Sequence, residues 1–134
     1  MSVLSIVIAP NSIFSQKAEK VISIDENIKK NIEDMLATMY YHDAVGLGAN
    51  MVGILKRIIV VDIKENGQKN PIVMVNPEIL EYSKETQIFP EASLSYPFIS
   101  AKVERPKKVK VSYLGYDAKE KEIVAEGFLA TVIQ

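Results

Sequence analysis

The sequence predicts a single α+β domain, on three observations: one amphipathic helical segment, a succession of short β-branched runs punctuated by turn residues, and a length of 134 residues with no internal repeat. A chain of that size buries about two-thirds of its unfolded surface around one core. The opening stretch, Met1 to Gln16, carries the apolar run Val3 to Ile8 and is then broken by Pro10-Asn11, so it reads as a short strand or extended arm packed on the core. From Asp25 the period becomes helical over about residues 25–42. Ile28, Ile32, Met35, Leu36 and Met39 make the apolar face, while Glu26, Lys29, Lys30, Glu33 and Asp34 fill the other. Asp25 is the N-cap, its carboxylate accepting a first-turn amide, with Ile24 as the apolar staple before it.

After the glycine-containing stretch Ala44 to Ala49, the run Arg57 to Ile63 is β-branched and too short for a helix, which makes it a buried strand. Asn66-Gly67 supplies turn residues, and Ile72 to Val75 forms the second arm of an antiparallel hairpin that Pro77 ends. Strand-like segments follow at Ile79 to Ile88, Ile99 to Glu104 and Val109 to Leu114, then at Glu122 to Ala125 beyond the turn Gly115-Tyr116-Asp117. From Gly127 the pattern Phe128 to Gln134 begins a second helix, of which the sequence holds about two turns.

Composition narrows the chemistry. Sixteen Lys+Arg against 17 Asp+Glu leave a net charge of -1, so no overall field draws nucleic acid, and no nucleic-acid partner is expected. The absence of Cys removes disulfides, thiolate metal ligands and thiol nucleophiles. No apolar run reaches the ~18 residues of a membrane span, and the chain reads as cytoplasmic, with no membrane partner.

Each local motif has a plain structural explanation. Gly46-Leu47-Gly48 contains a G-x-G, but it follows a helix and precedes a strand, the reverse of a dinucleotide site. His42, the single histidine, falls where an imidazolium caps a helix C-terminus. Ser93 and Ser95 lack any positioned base except that histidine, which argues against a serine hydrolase. The alternation in Lys108-Val109-Lys110-Val111, next to Arg105, is that of a solvated strand face, and Tyr40, Tyr41, Tyr113 and Tyr116 suit core or rim positions with a polar tip.

Three segments taken in order, however, resemble peptide deformylase, the metal hydrolase that removes the formyl group from the formyl-methionine of new bacterial chains. Ala44-Val45-Gly46-Leu47-Gly48-Ala49-Asn50-Met51-Val52-Gly53 is similar to the family pattern G-x-G-L-A-A-x-Q-V-G. Glu91-Ala92-Ser93-Leu94-Ser95 is similar to E-G-C-L-S, and Gly127 to Gln134 is similar to the lead into Q-H-E-x-D-H. Val75-Asn76-Pro77 also resembles the family's asparagine-proline turn. The resemblance implies small antiparallel sheets around a central helix, of which this sequence carries only the first turns. It implies substrate contacts at Val45, Gly46, Leu47, Glu91 and Arg105, and an oxyanion donor in the backbone N–H of Leu94. The family uses Fe²⁺ or Zn²⁺ held by one cysteine and two histidines.

The departures from the pattern are chemical. The family's cysteine is Ser93 here, a protonated hard hydroxyl in place of a thiolate. Its oxyanion glutamine is Met51, which has no N–H to donate. The histidines and the general-base glutamate belong to the segment that follows Gln134 in the family, so the domain is expected to lack the metal-binding part and no cofactor is expected. A catalytically inactive deformylase-like protein is therefore one expectation. A second is a module that binds N-formylmethionyl or other extended peptides without hydrolysing them. Residual metal-hydrolase activity is the third. The shortened central helix is expected to leave strands Ile58 to Ile63 and Ile72 to Val75 uncovered, favouring a homo-oligomer.

Overall fold

The computed structural model describes the backbone of residues 2–134 and all of their side chains except those of residues 97–99. Met1, at the head of the predicted arm, lies outside the described residues. Asp25 caps helix α1 (Glu26–Tyr41) as expected, its Oδ1 accepting the Ile28 amide at 2.9 Å. Ile28, Ile32, Met35 and Met39 are buried on one face of the helix, and Leu36 packs beside them partly buried. Asp34 departs from the expected polar face. It is buried because the N-terminal arm crosses it, with the Ser2 amide donating to Asp34 Oδ1 at 2.8 Å and the Leu4 amide donating to Thr38 Oγ1 at 2.8 Å. The arm is extended but belongs to neither sheet.

Seven strands follow: β1 (Gly46–Gly48), β2 (Ile58–Val61), β3 (Ile72–Tyr82), β4 (Thr86–Ser93), β5 (Tyr96–Pro106), β6 (Lys108–Leu114) and β7 (Glu120–Glu126). All pairings between these strands are antiparallel. They form one five-stranded sheet in the order β1-β2-β3-β6-β7 and a separate ribbon of β4 and β5. The short helix α2 (Phe128–Ile133) closes the described chain.

The glycine stretch forms the unpredicted β1, β5 and β7 run longer than read from the sequence, and three further differences each have a visible reason. β2 stops at Val61 because Asp62 turns its carboxylate to the Tyr40 hydroxyl and to the amides of Lys64 and Asn70. β3 passes through Pro77 instead of ending there. The register breaks between Val75 and Glu78, Asn76 takes φ 52°, and a proline at such an irregularity sacrifices no ladder hydrogen bond. Asn76 also clamps the chain before α1, accepting from the Val21 amide and donating to the Val21 carbonyl, both at 2.8 Å. The predicted segment Ile79 to Ile88 is two strands, split where Ser83 Oγ donates to the Glu85 carbonyl at 2.7 Å and accepts the Lys108 amide at 3.0 Å.

Two apolar clusters make the core. One joins α1 to β1, β2 and the end of the first β3 segment; the other joins Met74, Val109, Val111 and Ala125 of the sheet to Ala130 of α2. Ile58, Val60, Val61, Met74 and Val75 are buried while Ile59, Ile63, Ile72 and Val73 are partly exposed, so these strands are covered in part instead of bare as expected. Among the described residues no helix is long and apolar enough to cross a membrane.

Candidate functional site

A cleft of about 950 Å³ opens between the sheet and the ribbon. Its first wall is the chain from His42 to Gly48, continued by Met51; its second is Pro90 to Leu94 of β4 and the turn that follows; its floor is Ile59 to Val61 of β2 together with α2. Most of that lining is aliphatic or aromatic with a few polar groups, the usual character of a small-molecule or peptide site.

The first wall is built by close approach. A Cβ on Gly46 would stand 2.8 Å from Val132 Cγ1, so only glycine lets β1 lie this near α2. β1 pairs with β2 alone, through Gly46↔Val61 to Gly48↔Ile59, and is an edge strand of its sheet. A 3₁₀ turn over Ala49–Val52 then brings Met51 back under the strand, where its Sδ accepts the Gly48 amide at 3.5 Å. The Met51 carbonyl accepts the Val7 amide at 2.8 Å, which ties this turn to the N-terminal arm.

The second wall follows from strand alternation. Gln87, Phe89, Glu91 and Ser93 occupy the half-buried face of β4, and Thr86, Ile88, Pro90 and Ala92 the exposed one. Glu91 is held by a two-pronged ion pair from Arg105 of β5, with Nε to Oε2 at 2.6 Å and Nη2 to Oε1 at 2.9 Å. That hydrogen bond raises the Arg105 guanidinium above its ordinary pKa, against an opposing effect of burial. Ser93 Oγ accepts the amide of Ser95 at 3.2 Å. Gln87 bridges the ribbon to α2, donating from Nε2 to the Gly127 carbonyl and to Thr131 Oγ1, the latter at 3.0 Å. Phe89 adds an aromatic contact to Phe128, with ring centroids 5.7 Å apart.

Seven of the residues singled out in the sequence come together here: Val45, Gly46, Leu47, Met51, Glu91, Ser93 and Leu94 all line the cleft. Arg105 is absent from that lining, because its guanidinium is engaged by Glu91. His42 caps α1 through its backbone amide and stands exposed at the rim. Beside it Asp43 pairs with Lys64, whose hydrogen bond holds the Asp43 carboxyl below the usual carboxylate range. Sequence reasoning missed Thr131, buried in the floor, and Gln87, which reaches it. Gln87 was findable, since it lies on the same period-2 face as Glu91 and Ser93. Of the basic stretch, Lys107 and Lys110 face Glu85 and Glu122 at 4.0 and 3.7 Å on the surface.

The polypeptide deformylase model matches residues 3–134. The chain belongs to the polypeptide deformylase family. A "Peptide deformylase-like" protein of Rickettsia conorii is 54% identical over 129 residues, which are 96% of this chain and 70% of that one. A "Peptide deformylase" of Rickettsia canadensis is 41% identical over 140 residues, covering 100% of this chain and 80% of its own length. Among solved structures, the peptide deformylase of Ehrlichia chaffeensis in complex with actinonin superposes with a TM-score of 0.96 at 37% identity, over 100% of this chain and 81% of that one. The α+β, deformylase-like architecture expected from the motifs is thus the one found.

The resemblance to deformylases implies a metal, and the described residues do not fit one. Ser93 offers a neutral hydroxyl oxygen already accepting an amide, and no group of three or more His, Cys, Asp or Glu is gathered among the described residues.

Proposed function

We propose that this chain is a peptide deformylase-like protein that does not hydrolyse formyl groups by its family's metal route and keeps the cleft as a capture site for extended peptides, including N-formylmethionyl ones. The observation that carries the reading is Ser93. It stands between Glu91 and Leu94 on the cleft wall, with its oxygen turned to the Ser95 amide, and the motif resemblance assigns it to the family's cysteine position. Met51 supports it independently: a thioether that accepts from Gly48 replaces an amide that would donate to an oxyanion. Loss of one such donor typically lowers a rate by ~10²–10³. The capture half of the reading rests on β1 and β4. Both line the cleft and each pairs on one side only, an arrangement suited to strand addition by a peptide backbone.

The two halves are tested separately. Protein purified without oxygen and supplied with Fe²⁺ or Zn²⁺ should hold well under one ion per chain and leave a formyl-methionyl tripeptide uncleaved. One tightly held ion with turnover would overturn the inactive reading in favour of residual peptide deformylase activity, the activity named for the Rickettsia canadensis relative. Titration of the same tripeptide, followed by amide shifts of Val45 to Gly48, should saturate. The absence of saturation at millimolar peptide would remove the capture reading.

A further inference from the structure

We infer that Met51 is a site of selective oxidation to methionine sulfoxide, and that this modification alters the cleft wall at the Gly48 amide. Three of the chain's five methionines, Met35, Met39 and Met74, have no exposed surface. Met51 is partly exposed and lines a cleft wide enough for a small oxidant to enter. Oxidation of a thioether needs only access to a sulfur lone pair, so buried sulfurs react through opening of the fold while Met51 reacts in the folded state. With hydrogen peroxide the O–O bond breaks and an S–O bond forms. The sulfur is oxidised by two electrons, and the departing oxygen leaves as water after taking the proton of the oxygen transferred.

The position of the sulfur gives the modification a structural consequence. Sδ of Met51 is the acceptor for the Gly48 N–H at 3.5 Å, a weak bond to a soft atom. The sulfoxide replaces it with a polar oxygen, a much stronger acceptor, beside Val45 and Leu47 on the first wall. The edge of β1 is thereby held more firmly by its own turn, and the part of the wall beside Val45 and Leu47 becomes more polar. Because sulfoxides are reduced enzymatically, the change is reversible.

The test is a time course of dilute hydrogen peroxide on the intact chain, read by peptide mass mapping with Met1 scored apart. The 16 Da adduct, the mass of one oxygen, should accumulate at Met51 at least about tenfold faster than at Met35, Met39 or Met74. Equal or slower oxidation at Met51 overturns the assignment. The Gly48 amide proton should shift downfield on oxidation and return after treatment with a methionine sulfoxide reductase; an unmoved Gly48 resonance overturns the coupling to β1. Met51→Leu should remove the early adduct and leave the three buried methionines at their slow rates, and a fast adduct persisting in that variant counts against the proposal.

Discussion

The floor of the cleft and its Ser93 wall belong to regions stabilised in different ways. β2 and the start of β3 are packed from both sides, with Ile58, Val60, Val61, Met74 and Val75 buried under α1, α2 and the arm. β4 has no fully buried residue along its length. The ribbon is instead braced across its two strands by Arg105 to Glu91 and Thr86 to Glu104, and tethered to the α2 region by Gln87 to Gly127 and Thr131 and by Phe89 to Phe128. A site between such regions has one stiff side set by close packing and one side set by hydrogen-bond geometry. The Ser93 wall can therefore move without unfolding the core, since few apolar contacts resist local opening there.

The largest effect expected from this contrast is in the core behind the floor, where α1 packs with β2. Met35→Ala, at a position with 0% exposure, should lower unfolding free energy by about 2–5 kcal/mol in urea denaturation, while Ile88→Ala on the ribbon, 62% exposed, should stay within about 0.5 kcal/mol. Comparable losses at the two positions would erase the distinction between packed floor and tethered ribbon. Next in size is Gly46→Ala, which forces Cβ against Val132 and should cost about 1–3 kcal/mol. The double variant Gly46→Ala/Val132→Ala should recover part of that loss, and strictly additive melting shifts would show that the two positions do not touch.

The ion pair across the ribbon should matter less for stability. Glu91→Gln or Arg105→Met should cost about 1–2 kcal/mol, between the values of exposed and buried pairs, because both side chains are partly accessible. The cycle of both variants should give a coupling of similar size, and amide exchange should speed up in β4 and β5 while staying unchanged in β2. Uniform acceleration in both sheets would contradict a separable ribbon.

The smallest effect is the pH response of Asp62 at the end of the floor strand. Burial pushes its carboxyl up, yet hydrogen bonds from the Tyr40 hydroxyl and the Lys64 and Asn70 amides, with the Lys64 charge, hold it below the ordinary value of 3.8. Burial likewise lifts the Tyr40 hydroxyl, with the Asp62 carboxylate adding to it. Since the folded pKa of Asp62 lies below the unfolded one, its stabilisation is present in full above the unfolded value and is lost as pH falls through the folded one. Tyr40→Phe removes one donor and should raise the Asp62 pKa in a carboxyl-carbon NMR titration, so that less stability is lost between the unfolded and the folded value as pH falls. An unchanged Asp62 titration would show that the tyrosine contributes nothing to it.

Elements controlled by local chemistry were legible from residues alone. Asp25 caps α1, the 3.6-residue period marks its buried face, and the β2–β3 and β6–β7 hairpins fall where turn residues separate β-branched runs. The boundaries that went astray are those controlled by partners distant in sequence. β2 ends early because Asp62 is claimed by Tyr40, 22 residues before it, and Asp34 is buried because the arm, 32 residues away, lies over it. β3 runs on through Pro77 because its partner changes from β2 to β6 at that point, which no local pattern records.

The same division applies to the site. The sequence by itself determined which atoms the cleft can present: a hydroxyl oxygen at residue 93, a thioether at residue 51, and no thiol anywhere. These are properties of side chains and hold in any fold. Only the tertiary structure decided that Arg105 faces Glu91 instead of the cleft, that Gln87 reaches Thr131 across 44 residues, and that the Met51 sulfur meets the Gly48 amide. Those outcomes depend on strand register and on the close approach of β1 to α2 at Gly46. Both are set by packing between segments remote in the chain, where side-chain chemistry alone specifies no distance.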